Sequence, residues 1–290
     1  EAAKKADYVI FVGGMNKAHN QDCEDGDRLH YELPYAQDQL ISELAAVNNR
    51  VIFVSISGNA HGMPWSQEVE AILQAWYSGS ETGHAVADVL FGDVNPSGKL
   101  PYTIQPTLAD YSAHQYGEIA YPGVDKQVHY MEDIFVGYRY ADLYGRRRPI
   151  KYEAQGVQYT INPPKHQSVF PFGFGLSYTT FAYGEATLSG DKITMSVTNT
   201  GDREGQEVVQ LYVTDSKASV VRPKKELKGF SKVVLQPGET KQVTFTITPD
   251  MLAFFDADAH QWVTEAGQFV LHIASSSADI HTSVPYVYGK

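Results

Sequence analysis

The spacing of apolar residues changes along this 290-residue chain, and that change constrains the fold more than any other feature. In roughly the first hundred residues, unbroken apolar runs at 8–12 and 51–56 alternate with segments of helical spacing at 33–47 and 84–90. Such unbroken runs are typical of strands that are buried on both faces of a parallel sheet. This region therefore predicts an α/β fold, with a mostly parallel sheet and flanking helices. The run at 69–77 is interpreted as a short helix that continues into a strand.

From Thr179 onward the apolar residues alternate with a period of two. About seven short strands, separated by turn signals such as Pro237-Gly238, predict an all-β sandwich. The chain has one cysteine, Cys23, so it cannot form the intrachain disulfide of antibody domains. A fibronectin type III-like sandwich is therefore the better fit.

The region between these two parts has no clear period and is rich in Tyr, Pro and Gly. Long irregular stretches inside a folded protein are usually functional or wrap another domain. We therefore predict an α/β domain at 1–110, an irregular connector at 111–178 that completes or wraps it, and the β-sandwich at 179–290. Within the connector, Arg139 is expected to form an ion pair with Glu132 or Asp133.

Composition excludes several classes of function. The net charge is −11 and no stripe of Lys and Arg is present, which argues against a nucleic-acid partner. No apolar run approaches the ~18 residues of a membrane span. The chain begins at Glu1 without an initiating methionine or a recognisable signal peptide, so we interpret it as a fragment or a processed piece.

A dense acidic loop follows the first predicted strand and its Gly13-Gly14 turn. Its carboxylates belong to Asp22, Glu24, Asp25 and Asp27, and Arg28 follows directly. In open α/β sheets, ligands bind at the loops that follow the carboxyl ends of strands. The densest group of carboxylates therefore lies where this architecture usually performs its chemistry.

Three other uses of this acidic loop compete with a catalytic one. A solvated acidic turn is the simplest alternative. An EF-hand calcium loop does not fit, because counting from Asn20 the glycine is at position seven and position twelve is Tyr31. A zinc site formed by His19, Cys23 and His30 lacks a recognised ligand spacing.

A second loop, at 57–65, follows the second predicted strand. Asn59, His61 and Trp65 in this loop are candidates for the entrance of a pocket. The preferred interpretation is that Asn59 and Trp65 brace the loop and that His61 is solvated.

Motifs along nearly the whole chain resemble the C-terminal part of the family 3 glycoside hydrolases of the β-glucosidase type. The matching segments, in order, are EDGDR at 24–28, the LP of 33–34 with Gln37 and Leu40-Ile41, SGN at 57–59, MPW at 63–65, AWY at 75–77 with Gly79 and Gly83, LFGDVNPSGKLP at 90–101, VGYR at 136–139, FPFGFGLSYTTF at 170–181, NTG at 199–201, EVVQLYV at 207–213 and LKGF at 227–230. The resemblance implies the second half of an α/β sandwich domain followed by a fibronectin type III-like domain.

The resemblance also implies a function. The family hydrolyses terminal β-linked glucosyl residues with retention, using an Asp nucleophile on a barrel domain that this chain lacks. The chain alone is therefore expected to be inactive, and the barrel is expected from the same gene product. The implied substrate is a β-glucoside or an oligosaccharide, the implied cofactors are none, and the implied location is secreted or periplasmic.

Glu24 is the residue that matches the general acid/base of the family. Asp22 and Asp25 would raise its pKa, and Asp27 and Arg28 would pair with each other or with the loop backbone to hold the loop. Related loops carry glycine where this chain has Asp25, so whether Glu24 or a neighbouring aspartate faces the sugar stays open. The rival hypothesis is a non-catalytic module that binds carbohydrate or serves as a scaffold.

Overall fold

The computed structural model describes residues 1–18, 20–23 and 28–289, which form two compact units. The first unit consists of Glu1–Val94, Ile104–Asp110 and His166–Val169. The second unit consists of Asn95–Thr103, Tyr111–Lys165 and Phe170–Lys290. The chain thus passes several times from one unit to the other.

The first unit contains a sheet of three parallel strands. They are β1 at Val9–Gly14, β2 at Val51–Ile56 and β3 at Ala71–Gln74, in the spatial order β1-β2-β3. The central strand, β2, has the predicted bounds and buries Val51, Phe53 and Val54 completely. The predicted α/β class with a parallel sheet is confirmed.

Strand β1 differs from the expectation that both of its faces are buried. Ile10 is 45% exposed and Val12 is 59% exposed, whereas Phe11 stacks on Phe53 of β2 with a centroid distance of 5.8 Å. Successive side chains of a strand point to opposite faces, so Ile10 and Val12 share one face. The described residues leave that face of β1 open to solvent.

Three helices belong to the first unit: α1 at Ala2–Lys5, α2 at Gln37–Ala45 and α3 at Thr82–Phe91. Helix α2 begins later than predicted because Tyr35 and Ala36 have φ values of 60° and 55°, which no right-handed helix accommodates. Helix α3 ends at Gly92, whose φ of 83° suits a glycine cap. No helix within the described ranges is long and apolar enough to cross a bilayer.

For 69–77, the predicted strand is confirmed and the short helix predicted before it is wrong. This stretch forms only the strand β3, with turns before it. Its backbone joins the parallel ladder with β2, which begins at the bond from Glu70 N to Val51 O (2.8 Å) and ends at the bond from Ala75 N to Ser55 O (2.9 Å). Pairing with the central strand satisfies the backbone groups that a helix would have paired internally.

The connector region contains regular structure that its sequence pattern did not indicate. A short helix, α4, spans Tyr138–Ala141, and strands β4 (Ile150–Ala154) and β5 (Val157–Ile161) form an antiparallel hairpin. The turn residues Gln155 and Gly156 both have positive φ, 50° and 74°, as a two-residue hairpin turn requires. A small core of four buried side chains supports this region: Phe135, Tyr140, Leu143 and Ile161.

Arg139 does not pair with Glu132 or Asp133 as expected. Its guanidinium lies 3.1 Å from the carboxylate of Glu226. Glu132 instead accepts a hydrogen bond from the Ser112 hydroxyl, and Asp133 accepts one from the Tyr152 hydroxyl. Both predicted partners are therefore occupied by local hydroxyl donors.

The rest of the second unit is an antiparallel β-sandwich, which confirms the predicted fibronectin type III-like class. Its strands are β6 (Phe181–Tyr183), β7 (Thr187–Ser189), β8 (Lys192–Asn199), β9 (Gly205–Asp215), β10 (Glu226–Leu235), β11 (Thr240–Thr246), β12 (Phe254–Asp256), β13 (Gln261–Val263), β14 (Gly267–Ala274) and β15 (Ile280–Tyr288), with helix α5 at Pro249–Leu252. One sheet has the order β10-β9-β14-β15, and the other has β11-β8-β6 with β7 beside β8. Alternating residues of these strands fill one core, including Ile193, Leu211 and Phe269.

Candidate functional site

The candidate site lies at the carboxyl edge of the parallel sheet, where β1, β2 and β3 end. Strand β1 ends at Gly14, whose φ is 130° and where a Cβ atom would lie 2.1 Å from the carbonyl oxygen of Ile56. Only glycine fits this close approach of two backbones. The Gln37 side chain, on α2, accepts from Gly14 N (2.8 Å) and donates to Gly14 O (2.8 Å), which fixes the helix to the end of the strand.

Asp22 joins the loops that follow all three strands. Its Oδ2 accepts hydrogen bonds from the backbone N–H of Gly58 (3.0 Å) and from the hydroxyl of Tyr77 (2.7 Å). Its Oδ1 accepts from the amide Nδ2 of Asn59 (3.1 Å). Gly58 and Asn59 follow β2, and Tyr77 follows β3, so one carboxylate ties together three separate segments.

Tyr77 is the hydroxyl donor of this cluster. Burial raises the pKa of Tyr77, and its hydrogen bond to the charged Asp22 raises that pKa further. The hydroxyl therefore stays protonated at physiological pH and keeps donating to the carboxylate. The ring also packs against Gly58, where an added Cβ would lie 3.0 Å from Tyr77 Cε2.

His61 is fully buried, with 0% exposure, so the expectation that it is solvated is wrong. Its Nδ1 lies 2.9 Å from Gly62 O and its Nε2 lies 2.9 Å from Ser55 Oγ. A carbonyl only accepts, so we assign the proton to Nδ1 and the accepting role to Nε2. Burial lowers the pKa of His61. In this chain the imidazole is a neutral core group and does not line an entrance.

Trp65 is also fully buried and supports the neighbouring segment. Its indole Nε1 donates to Asp38 Oδ1 (2.7 Å), and Asp38 Oδ2 accepts from the backbone N–H of Leu33 (3.1 Å). The ring packs edge-on against Phe53 of β2, with a centroid distance of 4.7 Å. These contacts link the start of α2 to the loop that follows β2.

A pocket of about 250 Å³ opens beside this edge of the sheet. Its lining residues are Met15, Asn20, Gln21, Arg28, His30, Glu32, Leu33, Pro34 and Tyr35. The Arg28 guanidinium lies 3.5 Å from Met15 Sδ, and Gln21 Nε2 donates to the Tyr35 hydroxyl (2.8 Å). Charged and amide groups in one concave surface are suited to a polar ligand.

The structure brings some of the predicted site residues together and leaves others untested. Asp22 and Asn59 are in direct contact, and Arg28 lines the adjacent pocket. Glu24, Asp25 and Asp27 lie outside the described residues, as does His19, so the acid/base role of Glu24 and the pairing of Asp27 with Arg28 stay predictions. Among the residues that the structure describes, no group of His, Cys, Asp and Glu is arranged to hold a metal ion.

Sequence reasoning assigned no role in the site to Tyr77 or Gln74. Gln74 Nε2 donates to the carbonyl (3.0 Å) and the hydroxyl (3.1 Å) of Ser57, inside the same set of loops. A usable signal was present, because both residues lie at or just after the carboxyl end of the third strand, where polar side chains converge in parallel sheets.

Two family models match the chain. Residues 1–138 match the Glycosyl hydrolase family 3 C-terminal domain, and residues 207–277 match the Fibronectin type III-like domain. The first match contains the whole edge of the sheet described above.

Curated relatives cover almost the whole chain. Beta-glucosidase BoGH3A of Bacteroides ovatus is 47% identical over 99% of the chain, and a beta-glucosidase of Rhizobium radiobacter is 42% identical over 98%. Those alignments take up 37% and 33% of the relatives' own lengths. The chain therefore spans about a third of the length of the curated relatives it matches.

Solved structures show the same correspondence. The beta-glucosidase of Kluyveromyces marxianus superposes with a TM-score of 0.85 at 36% identity, over 100% of this chain and 33% of that one. DesR, a beta-glucosidase from Streptomyces venezuelae solved in complex with D-glucose, gives 0.84 at 36% identity, over 99% of this chain and 34% of its own.

Proposed function

Because this chain belongs to glycosyl hydrolase family 3, whose C-terminal portion it matches, we propose that it forms part of a retaining, exo-acting β-glucosidase and supplies the general acid/base, Glu24. The substrate would be a β-glucoside or an oligosaccharide with a terminal β-linked glucosyl residue. The nucleophile, an Asp, would come from a barrel domain of the same gene product. This proposal needs no metal or organic cofactor.

One observation carries the proposal: the chain aligns over 99% of its length with Beta-glucosidase BoGH3A. The position of the acidic loop, directly after the first strand of the parallel sheet, agrees with it. Asp22, two residues before Glu24, is held at the carboxyl edge of that sheet by donors from two other loops. Ligands of open α/β sheets bind at this edge. A proton donor in this loop would therefore stand at the place where the architecture receives its ligand.

The proposed chemistry uses two carboxyl groups about 5–5.5 Å apart. The nucleophile attacks the anomeric carbon, while protonated Glu24 gives its proton to the departing glycosidic oxygen. The resulting glycosyl-enzyme is then hydrolysed by water, from which ionised Glu24 removes a proton. Such a donor needs a pKa raised by its surroundings so that it holds a proton at the working pH.

Glu24→Gln in the complete protein tests the acid role. The glutamine side chain cannot deliver a proton, so kcat/KM for alkyl β-glucosides should fall by about 10²–10⁴-fold. Dinitrophenyl β-glucoside has a leaving group that needs little protonation, so its glycosylation step should be much less affected. NMR of the first-formed sugar should show the β anomer, as retention requires.

The matched control is Glu43→Gln, the same exchange on the exposed side of α2. It should leave both substrates at the rates of the parent protein. Unchanged hydrolysis of alkyl glucosides by Glu24→Gln would show that Glu24 is not the acid. A complete protein that binds glucans and hydrolyses no glycoside would favour the non-catalytic module instead.

A further inference from the structure

We propose that Asp22 and Tyr77 are positioning residues that hold the segment carrying Glu24, and that Asp22 acts through its hydrogen bonds and not through its charge. This inference rests on the proposed function of Glu24. It replaces the expectation that Asp22 raises the pKa of Glu24 as a nearby negative charge. Tyr77 belongs to one of the matching motifs, but no role was predicted for it.

The described contacts fix both the backbone and the side chain of Asp22. Its backbone N–H donates to Asn16 O (3.1 Å), while its side chain accepts from Gly58, Asn59 and Tyr77. The backbone N–H of Asn16 in turn donates to Gln21 Oε1 (3.1 Å). Asn16, Gln21 and Asp22 are thus linked by hydrogen bonds, and Asp22 is also tied to the loops after β2 and β3.

The two carboxylate oxygens of Asp22 have different partners. Oδ2 accepts from Gly58 N and from the Tyr77 hydroxyl, and Oδ1 accepts from Asn59 Nδ2. Donors therefore face both oxygens of the carboxylate. Such a carboxylate is suited to fix a loop, because moving it would break three bonds to two other loops at once.

Glu24 follows Asp22 by two residues in the sequence, so anchoring Asp22 anchors one end of the segment that carries Glu24. A displacement of about 1 Å at a reacting group lowers a rate by about 10²-fold. Loss of the anchor should therefore weaken proton delivery. Loss of the anchor should have little effect on substrates whose leaving group departs without a proton.

Three variants of the complete protein separate anchoring from charge. Asp22→Ala removes all three side-chain bonds, and Tyr77→Phe removes only the hydroxyl donor. Asp22→Asn removes the charge but keeps an oxygen toward Gly58 and Tyr77, and a rotation of the Asn59 amide restores the third bond. The anchoring role therefore makes Asp22→Asn mild, whereas a charge role makes it severe.

The readout is kcat/KM for alkyl β-glucosides and for dinitrophenyl β-glucoside, together with the pH profile. For the alkyl substrates we expect a loss of about 100-fold with Asp22→Ala and about 10-fold with Tyr77→Phe. Asp22→Asn should stay within about 3-fold of the parent, with its pH profile unmoved. All three variants should hydrolyse dinitrophenyl glucoside within about 3-fold of the parent rate.

A downward shift of the alkaline limb in Asp22→Asn, with Tyr77→Phe unaffected, would overturn the proposal in favour of charge tuning. Equal losses on both substrates would overturn it in favour of a general structural role. If Asp22→Ala does not fold, Tyr77→Phe and Asp22→Asn still decide between the outcomes. The matched controls are Tyr8→Phe and Asp7→Asn, both exposed and just before the start of β1, at the opposite end of that strand.

Glu24→Gln distinguishes failure of this inference from failure of the proposed function. If Glu24→Gln shows no dependence on the leaving group, the acid role itself is wrong. If Glu24→Gln depends on the leaving group but Tyr77→Phe and Asp22→Ala do not, only the anchoring role is wrong. When the acid role and the anchoring role are both correct, adding Tyr77→Phe to Glu24→Gln should cause no further loss of kcat/KM on alkyl glucosides. The two changes then act through one proton transfer.

Discussion

His61 is a titratable side chain enclosed beside the candidate site, and its surroundings give the first unit a pH dependence. Burial is the main cause that lowers its pKa below the ordinary value of about 6.5. As the pH falls below about 6.5, the unfolded chain takes up a proton at this position while the folded chain does not. Stability is therefore fully present above that pH and declines as the pH falls toward the folded pKa.

His61→Gln tests this dependence, because glutamine keeps a polar group near Nε2 and does not titrate. Between pH 6.5 and 5, the opening free energy of the parent should fall by up to about 1.4 kcal/mol per pH unit more steeply than that of the variant. Hydrogen exchange of the β2 amides, corrected for intrinsic rates, measures that energy in the first unit. Equal slopes in the parent and in His61→Gln would contradict the assignment.

The residues of the candidate site show which of their features could be predicted from the sequence and which could not. The edge rule for parallel sheets indicated the loop of Asp22 and the loop of Asn59 separately, and the structure shows that Asp22 and Asn59 are in contact. It did not tell a solvated His61 from a buried one, because that depends on whether the chain folds back over Phe53. No role was predicted for Tyr77 because its role depends on one hydrogen bond, from its hydroxyl to Asp22, which lies 55 residues away in the sequence.

At the scale of elements, helix α2 begins with two strained residues. Tyr35 and Ala36 both lie in the left-handed region, and Ala36 is the residue that caps the helix. An L-residue pays about 1–2 kcal/mol in this conformation, whereas glycine adopts it freely. The strain determines where α2 begins and turns the Tyr35 side chain toward solvent, at 77% exposure.

Ala36→Gly should therefore stabilise the first unit by about 0.5–1 kcal/mol, the strain relieved minus the greater entropy of glycine in the unfolded chain. Ala45→Gly makes the same exchange at the last residue of α2, where φ is helical, and should destabilise by about 1 kcal/mol. Hydrogen exchange of α2 and β2 measures both changes. Destabilisation of equal size by the two substitutions would show that Ala36 is not strained.

Element prediction succeeded where one pattern dominates and failed where tertiary pairing decides. Strand β2 was predicted with its observed bounds because every residue in it fits a buried parallel strand. In the stretch 69–77, the predicted strand formed as β3 but the short helix before it did not, since pairing with β2 outweighed helical spacing. The hairpin of β4 and β5 was missed, although the positive φ of Gln155 and Gly156 gives a turn that pairs Tyr152 with Tyr159.

At the scale of the whole molecule, the chain corresponds to about a third of its curated relatives. The spacing of apolar residues predicted both fold classes, because the segments between turns in each part of the chain have their own period. The motifs could not supply the exposure of Ile10 and Val12 on β1, because burial of a strand face depends on what lies against it. The same argument applies to the proposed function, since retaining hydrolysis would need a second carboxyl group in addition to Glu24.

The isolated chain should accordingly fold its two units and hydrolyse neither alkyl nor dinitrophenyl β-glucoside above the uncatalysed background, whereas the complete protein should hydrolyse both. Hydrogen exchange of β2 and β9 would establish that the isolated chain is folded, so that inactivity is not mistaken for unfolding. Dinitrophenyl glucoside is the decisive substrate, because it needs a nucleophile but little acid assistance. Turnover of that substrate by the folded, isolated chain would place the nucleophile within these 290 residues and remove the need for a barrel partner.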